Sequence, residues 1–476
     1  MRPETTDRRG EGVLARLALR FTDWAEKWFP DAFVFVIVAV LIVALAALVN
    51  GAPAAAVSRS FGDGFWSLIP FTMQMAFVTI GGYVVATAAP VQALIERLAL
   101  VPRTGRSAIG LIAVSTMLSS LLSWGLSLIF GGLLARALAR REELRMDYRA
   151  AGAAAYLGLG ATWAMGLSSS AAQLQANPKS LPPSLLQITG VIPFRETIFL
   201  WQSMTIALVL VVLSAVIALA SAPGRDNAVT ARQLGVDPSR ENEPVAGPRQ
   251  PGEWLEHTPI LTLLVVLLAA GWLVQEFGRQ DWILAISNLN TYNFLFLMLG
   301  LLLHWRPKRF LAAIGKAVPA TAGILIQFPF YASIAAVLTG AKNAAGHSVA
   351  DVIAHAFVAL NTQGSFPLAM GVYSAVLGFF VPSGGGKWLL EAPYVMQAAN
   401  ELRVHLGWAV QVYNAAEALP NLINPFFMLP LLGILGLKAR DIVGFSFLQL
   451  VFHLPIVLFL LWALAFTLEY HPPVMP

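Results

Sequence analysis

The sequence predicts an all-α polytopic membrane protein built from two inverted-topology repeats, each with a re-entrant helical hairpin and a broken transmembrane helix. Three observations carry the prediction. Of 476 residues, 57% are hydrophobic and only 12% charged, whereas soluble domains carry about 25% charged residues. The charges cluster, so the uncharged stretches between them reach the ~20 residues that cross a bilayer. Finally, polar, Gly- and Pro-bearing interruptions recur at matching places in two halves of the chain.

Residues 1–30 are polar and amphipathic, and they do not read as a cleaved signal peptide. Within them Leu14–Trp24 mixes basic and apolar residues at helical spacing, as a helix lying along the inner membrane surface would. The first repeat, 31–221, starts with a span from Asp31 to Asn50 and a second from Phe65 to Ala89. Ser107–Leu138 is too long for one simple span and is interrupted at Ser123-Trp-Gly-Leu-Ser127. Ala150–Gln175 is interrupted at Gly166-Leu-Ser-Ser-Ser170, and Thr197–Ser221 closes the repeat. Residues 222–256, rich in Pro, Arg and Glu, read as a solvated cytoplasmic linker. A connecting helix lies within 257–282. The second repeat, 283–476, has spans at Ile283–Leu303 and Val318–Gly340, then a long interrupted region Ala350–Asn400. A broken span Gly407–Leu437 and a last span Ile442–Leu468 follow.

Lysine and arginine set the orientation. With the N-terminus in the cytoplasm, the inside segments hold 24 of the 31 basic residues. The outside segments hold Arg59, Lys179, Arg195, Arg279, Lys342 and Arg403, and Lys387 lies within a span. Both flanks of Ser107–Leu138 are basic, so it enters and leaves on the cytoplasmic side as a hairpin with its tip near Ser123–Gly125. The matching region of the second half has weakly charged flanks and enters from outside, with its tip at Pro382–Lys387. Nine spans and two opposed hairpins result; eleven full spans are the alternative. Gly82 and Gly340, Ser123 and Ser383, and Tyr156 and Tyr413 stand at offsets of 258, 260 and 257 residues. A constant offset with an odd number of intervening spans is what an inverted duplication leaves, and paired breaks in inverted repeats mark secondary transporters.

The chemistry concentrates at the breaks, because irregular backbone at membrane depth is tolerated only where it lines a cavity or is buried in protein. Val381-Pro-Ser-Gly-Gly-Gly-Lys-Trp388 offers Ser383, the amides of Gly384, Gly385 and Gly386, and Lys387 beside Trp388. Amides at a helix start attract anions. The alternative use of three glycines is close helix packing. The run is not a Walker loop, since Trp388 stands where that motif needs Ser or Thr. Lys387 is a counter-charge for a carboxylate or a partner for Glu391 one turn on. The first hairpin offers Ser123, Trp124, Gly125 and Ser127. The first broken span offers Thr162, Ser168, Ser169 and Ser170, although hydroxyls in membrane helices often bond back to backbone.

Glu417, Asn421 and Asn424 share one face of the second broken span. An intramembrane carboxylate is a candidate proton or cation carrier. Pro420 and Pro425 free carbonyls that could hold Na⁺ near Asn424, with a matching place near Ser127. Gln74, Gln327 and Tyr331 are weaker candidates; His355 and His453 read as packing residues. Cysteine is absent, which excludes disulfides and thiol chemistry. No hydrolase signature appears, so the expectation is a transporter and not an enzyme, with no cofactor beyond a coupling H⁺ or Na⁺. A channel fits paired breaks less well than a gated site. Nucleic acid is not an expected partner; the lipid bilayer is.

Gly62-Asp-Gly-Phe-Trp66, Phe71-Thr-Met-Gln-Met75, Gln327-Phe-Pro-Phe-Tyr331, Val381-Pro-Ser-Gly-Gly-Gly386 and Asn424-Pro-Phe426 resemble the short-chain fatty acid transporter family, from about Trp28 to the last span. The resemblance implies bacterial uptake of acetoacetate and butyrate across the cytoplasmic membrane, by proton or sodium symport, on a fold related to the ion-transporter superfamily. A homodimer is implied by that analogy alone. Lys387 and Glu391 depart from the family pattern, in which some members carry His and a neutral residue there. The serine run 168–170 replaces a more glycine-rich version. These departures make Ser383 and the glycine amides the preferred ligands for the substrate carboxylate. Transport of another small organic anion, or cation/proton exchange on the same frame, is the alternative.

Overall fold

The computed structural model describes residues 32–178, 180–238, 250–280, 282–380 and 384–475. The N-terminal amphipathic segment and the hairpin residues Val381, Pro382 and Ser383 lie outside them. The described residues form helices joined by turns and irregular loops, with one isolated backbone bridge between Gly190 and Val474. Helices α1 (Ala32–Val49), α2 (Ala54–Trp66), α3 (Ile69–Ala86) and α4 (Ala89–Ala99) come first. The span expected at Phe65–Ala89 is therefore two helices. Ser67 ends α2, and Pro70 restarts the chain in the first turn of α3, where a missing N–H costs nothing.

α5 (Gly105–Leu122) and α6 (Trp124–Ala139) pack against each other and are separated by Ser123 alone. Ser123 is extended (φ −157°, ψ 125°), ending one helix and capping the next through its hydroxyl and the Leu126 amide. The break expected over 123–127 is thus a single residue. α7 (Tyr148–Leu157) continues through a π-helical turn at 158–162 and a 3₁₀ turn at 163–165, then breaks. The chain resumes in α8 (Ser170–Ala176), α9 (Pro183–Thr189) and the long α10 (Trp201–Ser221). The predicted interruption at Gly166–Ser170 is borne out.

α11 (Trp254–His257) leads into α12 (Ile260–Arg279), whose surface is mostly exposed leucine and valine, as a helix facing lipid requires. α13 (Trp282–Ser287), α14 (Leu289–His304), α15 (Pro307–Ala317) and α16 (Ala322–Gly340) follow. Asn288 interrupts the span expected at Ile283–Leu303 and caps α14 through the Asn290 amide. The region 350–400 holds three helices, α17 (Val349–Leu360), α18 (Phe366–Phe380) and α19 (Gly384–Glu401). α20 (Leu406–Asn421), α21 (Pro425–Leu435) and α22 (Ala439–Ala465) complete the chain. Among the described residues six helices are long and apolar enough to cross a membrane, α12 among them, with shorter apolar helices between.

One order recurs in both halves: a helix (α3, α16), a shorter helix (α4, α17), a helix pair (α5–α6, α18–α19), a broken helix (α7–α8, α20–α21) and a long helix (α10, α22). The buried core takes in nearly all of α7, α19 and α20. His453 is buried as expected for a packing residue, with Nε2 2.9 Å from Ser214 Oγ and Nδ1 2.6 Å from the Gln449 carbonyl.

Candidate functional site

The breaks bring two distinct groups of residues together. The first is a set of charges inside the protein. Lys387 and Glu391 stand one turn apart on α19, with Nζ 2.6 Å from Oε1. Glu417 on α20 places Oε2 2.9 Å from the same Nζ. Ser374 on α18 accepts from Nζ at Oγ (2.7 Å) and at its carbonyl (3.0 Å), and its hydroxyl lies 3.2 Å from Glu391 Oε1. The ring of Tyr413 lies under the ammonium, 4.3 Å from its centroid. Lys387, Glu391, Glu417 and Ser374 are all 0% exposed. An unpaired ammonium there would cost several kcal/mol, so its partners must surround it.

A glycine makes that approach feasible. A Cβ on Gly378 of α18 would lie 2.6 Å from the Pro420 ring and 3.1 Å from Glu417 Oε2. Only a hydrogen leaves α18 and α20 close enough for Ser374 and Glu417 to reach one ammonium.

The second group lines a cavity of about 100 Å³. α19 contributes Gly384 and Gly385, α6 contributes Trp124, the first broken helix contributes Leu159, Trp163 and Ser170, and α16 contributes Ile324, Gln327 and Phe328. The wall is chiefly apolar. Trp163 Nε1 is a buried donor with no hydrogen-bond partner among the described residues. Tyr413 connects the two groups: its hydroxyl donates to the Gly384 carbonyl while its ring supports Lys387.

The glycine run also packs tightly. A Cβ on Gly384 would meet the Trp163 ring at 2.3 Å, and one on Gly386 the Tyr331 ring at 2.2 Å. Gly385 has more room, with Ser170 Cβ at 3.1 Å. Trp388 turns from the cavity and packs on Tyr413, ring centroids 4.7 Å apart. Lys387 is bound by the charge cluster and does not line the cavity. Ser383 lies outside the described residues.

The hydroxyls of the first half tie its break to its hairpin. Ser168 accepts from the Trp124 amide at 2.9 Å, Ser120 and Thr162 hydroxyls meet at 2.7 Å, and Ser127 donates to the Thr116 carbonyl at 2.8 Å. Ser169 caps α8 and donates to Asn414 of α20 at 3.1 Å. Ser170 lines the cavity with its hydroxyl 3.5 Å from Met75 Sδ. Gly125 lies against α3, where a Cβ on Gly82 would sit 2.9 Å from its Cα. Asn421 stands beside the Glu417 carboxyl. Asn424 occupies the turn that breaks α20 from α21.

The sequence pattern of the short chain fatty acid transporter family matches residues 13–464. The chain belongs to this family. A protein of Escherichia coli (strain K12), provisionally named a short-chain fatty acid transporter, is 32% identical over 448 residues, 92% of this chain and 97% of that one. A Haemophilus influenzae protein with the same provisional name is 30% identical over 93% of this chain and 98% of its own length. Two solved structures share the fold. Neisseria gonorrhoeae MtrF, described with a class of antimetabolite efflux pumps, gives a TM-score of 0.61 at 14% identity over 96% of this chain and all of its own. The YdaH transporter of Alcanivorax borkumensis gives 0.54 at 15% identity over 92% of this chain and 98% of its own. The family member described here is thus a multi-pass membrane protein of a transporter fold.

Sequence reasoning passed over Ser374, Gly378 and Trp163. Ser374 and its neighbour Tyr373 bring the hydroxyls into α18, which is otherwise apolar, and that isolation was the available signal. Trp163 and Gly378 carry none, because an aromatic or a glycine in an apolar helix looks the same facing lipid or a site.

Proposed function

We propose that this protein is a secondary active transporter of short-chain monocarboxylates such as acetoacetate and butyrate, working in the bacterial cytoplasmic membrane by proton or sodium symport. The observation that carries the reading, beyond family membership, is the small apolar cavity that ends on the start of α19 and on Trp163 Nε1, a buried donor without a partner among the described residues. A short acyl tail fits an apolar wall of this size, and a carboxylate suits helix-start amides and a buried donor. The carboxylate lies against Ser383 and the amides of Gly384–Gly386, with the tail toward Trp124 and Ile324. Glu417, Asn421 and Asn424 serve coupling.

The recurring order of elements supports two inverted repeats with re-entrant hairpins at Ser123 and Pro382–Lys387, and the lysine and arginine bias supports a cytoplasmic N-terminus. Movement of the hairpin and broken-helix elements against the remaining helices supplies alternating access.

Counterflow of labelled acetoacetate and butyrate in proteoliposomes tests the reading. Protein-free liposomes provide the blank, because the neutral acid crosses lipid unaided. Saturable, protein-dependent exchange competed by unlabelled monocarboxylates is expected. No such exchange under either a proton or a sodium gradient overturns the proposal.

A further inference from the structure

We propose that Lys387, Glu391 and Glu417 form the binding site of one coupling proton, carried on Glu417, and that the transporter therefore uses protons and not sodium. This rests on the transporter reading above but not on the identity of its substrate.

The argument begins with charge. One ammonium and two carboxyls are enclosed together, none of them exposed. Fully ionised, they would leave one net negative charge in an apolar interior, and uncompensated buried charge is strongly disfavoured. The surroundings offer no second cation among the described residues. α16 presents Tyr331, α18 presents Tyr373 and Ser374, α19 presents Tyr394, and α20 presents Tyr413 and Asn421. On α17, which packs on α19, Asp351 turns to its own cap at Ser348, and His355 lies by His347. On α22, His453 is bound to Ser214. A single proton makes the cluster neutral.

The hydrogen bonds favour Glu417 as the carrier. Glu391 Oε1 receives both Lys387 Nζ and the Ser374 hydroxyl, as a carboxylate does, while its Oε2 has no acceptor side chain beside it and no hydrogen bond among the described residues. Glu417 meets the ammonium through Oε2, and its Oε1 has no well-aligned hydrogen-bond partner among the described residues. The side chain of Asn421 lies within hydrogen-bonding reach of this carboxyl, and neither of its polar atoms has a well-aligned partner among the described residues. Buried polar groups rarely stay unmet. A proton on Glu417 Oε1, donated to Asn421 Oδ1, answers two vacant positions at once.

Sodium does not fit this place. It would sit between carboxylates already joined by an ammonium, within about 3 Å of a like charge, and that repulsion disfavours it even with screening by the protein. A proton needs only one acceptor. The cluster also spans two elements of the moving set, α19 and α20. When the Glu417 acid gives its proton to the water-filled side, the new carboxylate is drawn to Lys387 and the contact between α19 and α20 tightens. Reprotonation from the other side relaxes it, so one proton accompanies each cycle.

Two measurements on the full chain decide the matter. Infrared difference spectra of the purified protein between acid and alkaline pH read a buried carboxylic-acid carbonyl band directly. That band is expected in the wild type, absent in Glu417→Gln, and shifted but present in Glu417→Asp. In proteoliposomes, after subtraction of passive flux, wild type accumulates labelled acetoacetate under a proton gradient and not under a sodium gradient at clamped pH. Glu417→Gln accumulates nothing beyond equilibrium. Persistence of the band in Glu417→Gln, sodium-driven accumulation, or proton-driven accumulation by Glu417→Gln each overturns the proposal. Should Glu417→Gln fail to fold, the shift of the band in Glu417→Asp decides; an unshifted band overturns it. If no monocarboxylate is carried yet the band behaves as expected, the substrate reading falls and the proton site stands.

Discussion

Replacing Lys387 by methionine isolates the electrostatic role of the ammonium while keeping most of its apolar length. In the wild type Nζ lies 2.6 Å from Glu391 Oε1. At an effective dielectric constant of about 20 that attraction is worth roughly 6 kcal/mol. The variant can lose all of it with Glu391 still ionised, or Glu391 can take up a proton. An ordinary glutamate titrates near 4.3, so protonation costs about 3.7 kcal/mol at pH 7 and about 1 kcal/mol at pH 5. The cheaper route wins at both values. Lys387→Met should therefore lose about 4 kcal/mol of stability at pH 7 and only about 1 kcal/mol at pH 5. The sign follows from linkage: the folded variant binds a proton that the unfolded chain releases, so its stability falls as pH rises. Thermal melts in detergent, wild type against variant, read the gap. Lys387→Met/Glu391→Gln should close most of it and remove its pH dependence. A gap that stays constant across pH, or that the second substitution leaves open, refutes the charge argument.

Other substitutions test the neighbouring packing and the cavity. Gly386→Ala drives a Cβ into the Tyr331 ring at 2.2 Å and should cost about 1–3 kcal/mol; a melting temperature equal to wild type would show that the ring yields freely. Ile324→Ala enlarges the cavity and should favour longer acids by about fourfold per methylene, from about 0.8 kcal/mol each, read as competition by hexanoate against butyrate uptake. His405 precedes α20 and accepts from the Trp408 amide at 3.0 Å, so His405→Ala should cost about 1 kcal/mol at neutral pH. Burial and the nearby His471 hold the His405 imidazole down to about 4, below its ordinary 6.5. The wild type should thus lose stability as pH falls from 6.5 toward 4, and the alanine variant should not share that loss.

The main breaks were legible in the sequence because each is costly in lipid. Ser123, Gly166–Ser170 and the run after Phe380 put hydroxyls, glycines or a proline into apolar helices, and such residues are retained only for a reason. Glu417 and Lys387 stood out likewise as charges within spans. What the sequence hid is mutual position. Lys387 was equally a substrate ligand or a partner of Glu391, since the spacing of one turn argues only for the second. Nothing local said that Glu417, on another helix, shares the same ammonium. The division of α2 from α3 carried one signal, Pro70 in the first turn of α3, which an otherwise apolar stretch masked, because Ser67 and Leu68 interrupt the helix without a charge or a glycine.

The glycine run shows why packing and binding are not rival explanations. Gly384 and Gly386 are filled by the Trp163 and Tyr331 rings, which alone would make them packing glycines. Yet Gly384 and Gly385 also wall the cavity, and the Gly384 carbonyl holds the Tyr413 hydroxyl beneath Lys387. Close packing on the rings fixes the start of α19, and a fixed helix start is what an anion site requires, since amides that must reorganise lose much of their advantage. The same rigidity places Lys387 one turn away from its carboxylates. A side chain added at Gly386 would therefore disturb cavity and charge cluster together, whereas a change at Ile324, which α16 contributes to the lining, should alter chain-length preference and leave the response to pH intact.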